Sequence, residues 1–230
     1  MTEKQRTRVY DAPVVFFDLD DTLINKDASS LWIKWRFRRE RWAVVEAIKA
    51  LASLYRAYKK GRVTHRRLSS YYKTRTRGMT LADYQQYVAD FFRERGHLYI
   101  YPQASALIFA YQRQGSKLVM ITGQDEVMAQ AYANELGMEY VIGNRLALEN
   151  DKIVGLQQPL CYGDGKVRLA KEFARHHGFD LSKAAFYSDS HSDLPLLEAV
   201  RYPVVLNPNE SLAEFAIRNN WPRIDWRKEA

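Results

Sequence analysis

Apolar positions along the chain follow two patterns. Short unbroken runs occur at VVFF (14–17), KLVMIT (117–122), YVIGN (140–144), AAFYSDS (184–190, apolar in its first half) and PVVLN (203–207). Runs of this length predict strands buried on both faces, as in a parallel sheet covered by helices. Between them lie stretches of helical period at 103–114, 124–136, 165–177 and 211–219, the first two closed by Gly115 and Gly137 and the third ending near Gly178. From Ile24 to Tyr101 no strand-like run appears. Leu31, Trp35, Arg38, Trp42, Val45, Ala52 and Tyr55 fall near a seven-residue repeat that predicts one or two amphipathic helices ending at Gly61. Further helices are expected over 64–73 and 80–95, the latter opened by Thr80 with Asp83. RLALENDKIVG alternates on both sides of Asn150-Asp151, the signature of a hairpin, expected as a flap at the sheet edge. The tail WPRIDW is expected to pack across the body. The architecture predicted is α/β: a doubly wound, Rossmann-like parallel sheet from residues 1–24 and 102–230, interrupted by an all-helical insertion at 25–101, with a small β-hairpin flap.

A chain of 230 residues accommodates one full core and a smaller accessory unit. The net charge of +8 is unevenly spread: residues 28–78 hold 15 Lys and Arg against Glu40 and Glu46 alone. That segment reads as a separate basic unit with an affinity for anions. The single cysteine, Cys161, excludes an internal disulfide framework and any multi-cysteine metal site. The first dozen residues lack the apolar block of a secretory signal, and no run approaches a membrane span, so a cytoplasmic protein is expected.

Three predicted strands end in polar groups: Asp18 and Asp20 after VVFF, Thr122 after KLVMI, and Asp189 after AAFYS with Asp193 four residues on. In a doubly wound sheet such ends share one crevice. Asp18 and Asp20, two residues apart on an extended chain, point to one side; their mutual repulsion calls for a bound cation, a shared proton, or both. Lys166 follows a loop with two glycines, CYGDGK, at the start of a predicted helix from which an ammonium reaches the crevice. Taken singly, Lys166 is an ordinary helix-start lysine, Thr122 a cap and Asp193 a first-turn acid.

Taken together, D-L-D-D-T, then T-G, then Lys166, then S-D-S-H-S-D resemble the four motifs of the haloacid dehalogenase superfamily, over essentially the whole chain. FYSDSHSDLPLLEAV and CYGDGK resemble its phosphoserine phosphatase-like branch, and the helical insertion is similar to that branch's C1 cap. The resemblance implies a phosphatase in which Asp18 is the nucleophile, Asp20 the general acid and base, and Thr122, Gly123 and Lys166 hold the phosphoryl group. It implies Mg²⁺ held by Asp18, Asp20 through its backbone carbonyl, Asp189, and Asp193 directly or through water. Asp27 lies where phosphoserine phosphatases carry a glutamate for the substrate amine; it would meet a cationic group on the substrate or cap the helix starting at Ala28. Asp21 stands where the family more often has glycine, and a structural hydrogen-bonding role is expected for it. No cap arginine aligns with the family's carboxylate-binding one, since Arg75 and Arg77 are out of register.

A small phosphorylated metabolite of the phosphoserine or histidinol phosphate type is therefore the expected partner. Trp32, Trp35 and Trp42 among basic residues support an alternative, docking at an anionic membrane surface with a lipid phosphate such as phosphatidylglycerophosphate as substrate. A nucleic-acid-binding module is a remote third reading. Oligomeric state has no signature in the sequence. His191, between two motif acids, is expected at the surface or at the site mouth, and Cys161 near the site.

Overall fold

The computed structural model describes residues 9–40, 45–59 and 62–228. Val14–Phe17 forms β1, followed by four helices, α1 (Ala28–Phe37), α2 (Val45–Lys59), α3 (His65–Arg75) and α4 (Leu81–Glu94). The alternating part continues with α5 (Pro102–Gln114), β2 (Lys117–Asp125), α6 (Glu126–Glu135) and β3 (Tyr140–Asn144). A hairpin of β4 (Leu146–Glu149) and β5 (Lys152–Leu156) precedes α7 (Asp164–His176), β6 (Ala185–Ser188) and α8 (Leu194–Leu197). The chain closes with β7 (Tyr202–Leu206), α9 (Glu210–Arg218) and β8 (Arg223–Ile224).

Six strands form one sheet in the order β3-β2-β1-β6-β7-β8, and every adjacent pair is parallel. Strand alternation divides the interior in two. Val15, Phe17, Met120 and Tyr187 face one core; Val14, Phe16, Val119, Ile121 and Phe186 face the other. All four residues of β1 are fully buried, as its unbroken apolar run requires. The chain runs outward from β1 to β3 and returns to β6 on β1's other side, so the order reverses at β1/β6. Phe17 pairs with both Met120 and Tyr187, and Asp18 and Asp189 leave at the carboxyl ends flanking this reversal. That is where an open α/β sheet presents a ligand crevice.

The helical insertion between β1 and β2 forms as expected, with Thr80 and Asp83 making a reciprocal capping box. Trp32 and Trp35 are buried, Trp32 edge-on to Tyr84 and Trp35 edge-on to Phe91, with the Trp35 indole donating to Glu94. Helix packing thus withdraws these two rings from any surface; Trp42 and Gly61 lie outside the described residues.

Three expectations shift in detail. The hairpin turns at Asn150-Asp151, both at positive φ as a tight two-residue turn needs. It packs on α3 rather than on the sheet edge: Leu156 N–H donates to Ser69 Oγ, and Gly155, at φ +153, lets Ser69 approach where a Cβ would not fit. The helix expected from Gln124 starts at Glu126, capped by Asp125, because β2 stays extended through a register irregularity between Ile121 and Asp125. The tail adds β8 to the sheet, a strand too short for a periodic signal, and buries Trp226 against Tyr101. Among the described residues, no helix is long and apolar enough to cross a membrane.

Candidate active site

Beyond β1 the backbone turns, with the N–H groups of Leu23 and Ile24 donating to the carbonyl of Leu19. Asp21 takes φ +53 in this turn, the left-handed region that Gly, Asn and Asp tolerate best. The residue's structural role therefore lies in its backbone, whose carbonyl accepts from Asn207 Nδ2 at 2.9 Å.

Lys166 arrives from the opposite side. Gly163 takes φ +54 before α7, and at Gly165 a Cβ would sit 2.0 Å from the Leu160 carbonyl oxygen. Both glycines of CYGDGK are thus required for a turn tight enough to aim the first turn of α7 at the crevice. The buried Lys166 ammonium donates to Asp18 Oδ1 at 3.0 Å and to Asp193 Oδ2 at 2.7 Å; Ser188 Oγ donates to the same Asp193 oxygen at 2.7 Å. Asp189 is braced by Thr22, whose hydroxyl donates to Asp189 Oδ1 and accepts from its N–H.

The acids outnumber the cations here. Burial pushes the Asp18 carboxyl up to about 6; Lys166 pulls against that shift and Asp193 adds to it. Asp20 is raised by burial and then by Asp27, and Asp189 by burial and then by Asp18, Asp21 and Asp193. Burial works against the charge of Lys166, but Asp18 and Asp193 overcome it and hold its proton more firmly than usual.

Asp20 is gripped separately. The N–H of Ala28, at the start of α1, donates to its Oδ1 at 2.8 Å, and Gln124 Nε2 donates to its Oδ2 at 2.6 Å. Asp27 caps α1, its Oδ1 accepting from Ser30 N–H at 2.6 Å, while Oδ2 lies 3.5 Å from Gln124 Nε2 and the residue lines the cavity. Behind Gln124 runs a buried chain. Arg75 Nη1 donates to Ser29 Oγ at 3.0 Å, and Ser29 Oγ donates to Gln124 Oε1 at 2.8 Å. Arginine has no acceptor, so the single Ser29 proton must go to Gln124, which fixes the amide with its NH₂ toward Asp20. Arg75 is fully buried, stacked 4.7 Å from the Trp32 ring centroid and 3.7 Å from Asp125, and is not among the residues lining the cavity.

Asp18, Asp20, Asp27, Gly123, Lys166, Asp189 and Asp193 thus all line one cavity of about 570 Å³. Thr122 is buried just beneath it and accepts from the Gln124 N–H at 3.2 Å, next to Gly123. Cys161 also lines the cavity, its thiol pushed up to about 12 by burial, which leaves it a neutral wall. His191 is exposed, edge-on to Phe215. Gln124 and Ser29 carry no signal in the sequence: the helical period downstream runs back over the first, and the second sits in an ordinary helix start.

A profile of haloacid dehalogenase-like hydrolases matches residues 15–198, a span that contains every acid of the cavity and Lys166. The chain belongs to that family. Its fold is built like that of solved phosphoserine phosphatases. A histidinol-phosphatase of Neisseria meningitidis is 27% identical over 227 residues, covering 93% of this chain and 99% of the relative. A probable phosphatase of Mycobacterium tuberculosis is 27% identical over 216 residues, covering 93% and 75%. The solved structure of a phospho-aspartyl intermediate analogue of phosphoserine phosphatase superposes with a TM-score of 0.67 at 16% identity, covering 95% of this chain and 97% of that one.

Proposed function

We propose that this protein is a Mg²⁺-dependent phosphomonoesterase that hydrolyses a small, amine-bearing phosphate through an aspartyl-phosphate on Asp18, with residues 25–101 acting as a cap over the core. The observation that carries this reading is the pairing of Asp18 with buried Lys166 on the cavity wall, with Asp20 held apart from that pair by Ala28 and Gln124.

An Asp18 oxygen attacks phosphorus, and the P–O bond to the alcohol breaks as Asp20 delivers a proton to the departing oxygen. Water then gives a proton to Asp20 and attacks the same phosphorus, releasing phosphate and restoring Asp18. Lys166 offsets the negative charge between nucleophile and phosphoryl oxygens, and Asp193 and Ser188 keep it in place. Thr122 and Gly123 border the phosphoryl position.

The donor set fits Mg²⁺. Six carboxylates and one lysine line the cavity, and burial with mutual repulsion raises Asp18, Asp20, Asp21 and Asp189 toward protonation. Among the described residues, no three His, Cys, Asp or Glu side chains form a ready metal cluster. Mg²⁺, which keeps several waters and takes one or two carboxylates plus substrate oxygens, suits such a site. Asp18, Asp189 and the Asp20 carbonyl would hold it, with Asp193 acting through water because Lys166 and Ser188 occupy its Oδ2. The ion would supply charge neutralisation at the phosphoryl oxygens.

The alcohol is better matched to histidinol phosphate than to phosphoserine. Arg75 is committed to Ser29, Tyr84 and Asp125, and Lys166 is the only Lys or Arg among the described lining residues, so among the described residues a carboxylate on the substrate finds no cation of its own. Asp27 supplies an acid for an amine. Phosphate release with Mg²⁺ tests this: histidinol phosphate is expected to exceed phosphoserine in kcat/KM by about tenfold or more, the worth of one unmatched charge near a protein surface. Equal or better turnover of phosphoserine would overturn the assignment.

A further inference from the structure

We infer that the alcohol part of the substrate carries a flat or branched apolar body, received by the inner face of α2, so that the physiological class is an aryl- or alkyl-substituted amino-alcohol monophosphate. This deepens the reading above and rests on it. Ile48, Leu51, Ala52, Tyr55 and Tyr58 recur at intervals of three and four, which places them on one side of a helix, and all five line the cavity that holds the acids. An amphipathic helix ordinarily buries that side in a core. Here Ile48 keeps 40% and Tyr55 56% of its surface exposed. Leu68 and Tyr71 of α3 line the same cavity, so the apolar walls come from two helices of the insertion.

Volume and polarity point the same way. A cavity of about 570 Å³ lies within the range that accommodates drug-sized ligands, well beyond the needs of a phosphate and a three-carbon amino acid. Such pockets combine apolar walls with a few placed polar groups, and two are present. Asp27 offers a carboxylate to the cavity, and Ser30 beside it a hydroxyl. Tyr58 donates to or accepts from Ser190 at 2.6 Å, tying the end of α2 to the core loop beside Asp189. With acids at one end and apolar walls elsewhere, the open cavity takes a small molecule with a phosphate at one end and apolar surface along the rest.

The test separates binding from catalysis. The affinity of Mg²⁺-loaded Asp18→Asn protein is measured by calorimetry for ethanolamine phosphate, leucinol phosphate, histidinol phosphate and phenylalaninol phosphate. Affinity is expected to rise at least tenfold from the first to the last, as apolar burial predicts for an added ring. In the same background Ile48→Ser and Leu51→Ser are expected to compress that span to about threefold or less, while Ile48→Leu preserves it. A flat series, or a span that survives both serine variants, overturns the inference. Because the readout is binding, that failure is distinct from failure of the phosphatase reading, which would appear as absent phosphate release by the wild type on every member.

Discussion

Asp18→Asn is expected to lower phosphate release by about four orders of magnitude or more, the scale of losing a nucleophile, while making the metal-free protein more stable. The two effects share a cause. Asp18 is buried beside Asp193 and within reach of Asp20 and Asp189, and its carboxyl is pushed up to about 6 despite Lys166. A folded-state value above that of the unfolded chain means the native protein holds this proton more tightly. The contribution to stability is therefore fully present below about pH 4 and is lost as pH rises through about 6. At pH 8 the ionised carboxylate costs on the order of 3 kcal/mol, which asparagine removes while Lys166 keeps Asp193 as partner. Thermal melts in EDTA should show the variant several degrees above the wild type at pH 8, with the gap closing toward pH 5. Added Mg²⁺ should narrow it by stabilising the wild type more. A variant that melts below the wild type at pH 8 in EDTA would contradict this account of the site.

The second large effect is expected at Gln124, and the leaving group reveals it. Gln124 donates to Asp20, and Ser29 and Arg75 fix its own orientation. An alkoxide leaves poorly without a proton, whereas p-nitrophenolate leaves without help. If Gln124 serves to aim Asp20, Gln124→Ala should reduce kcat/KM on an alkyl phosphate by about 10²-fold, within the range supplied by a general acid, and on p-nitrophenyl phosphate by about threefold or less. Ser29→Ala, one bond further back, should reproduce the same asymmetry at smaller size. Equal losses on both substrates would reduce Gln124 to packing.

The motif residues could be read from sequence because each follows a strong local signal. An unbroken apolar run can only be buried, so the acids that end VVFF and AAFYS must emerge at a sheet edge. The glycines of CYGDGK likewise announce a turn, and Lys166 follows it directly. Gln124 lacked such a signal: the helical period downstream extended backwards over it, and only the irregular end of β2 kept it extended. Asp21 has a structural hydrogen bond through its carbonyl, and the positive φ its backbone takes is a requirement that sequence spacing does not express. For Asp27 the sequence allows capping and ligand binding alike; in the structure one oxygen caps α1 and the other faces Gln124 Nε2.

The sequence by itself determined the α/β class, the helical insertion between β1 and β2, the hairpin turn and the motif residues now found on or beneath one cavity. These depend on periodicity and on residues near one another in the chain, where burial preference and turn chemistry act locally. Only the tertiary structure decided what joins across it. The chain from Arg75 through Ser29 and Gln124 to Asp20 links α3, α1, β2 and the β1 loop, and no local pattern specifies such partners. The burial of Trp32 and Trp35 and the turning of the α2 apolar face toward the acids are decisions of the same kind. An amphipathic helix declares that it has an apolar side, and the packing of its neighbours determines whether that side meets a core, a membrane or a substrate.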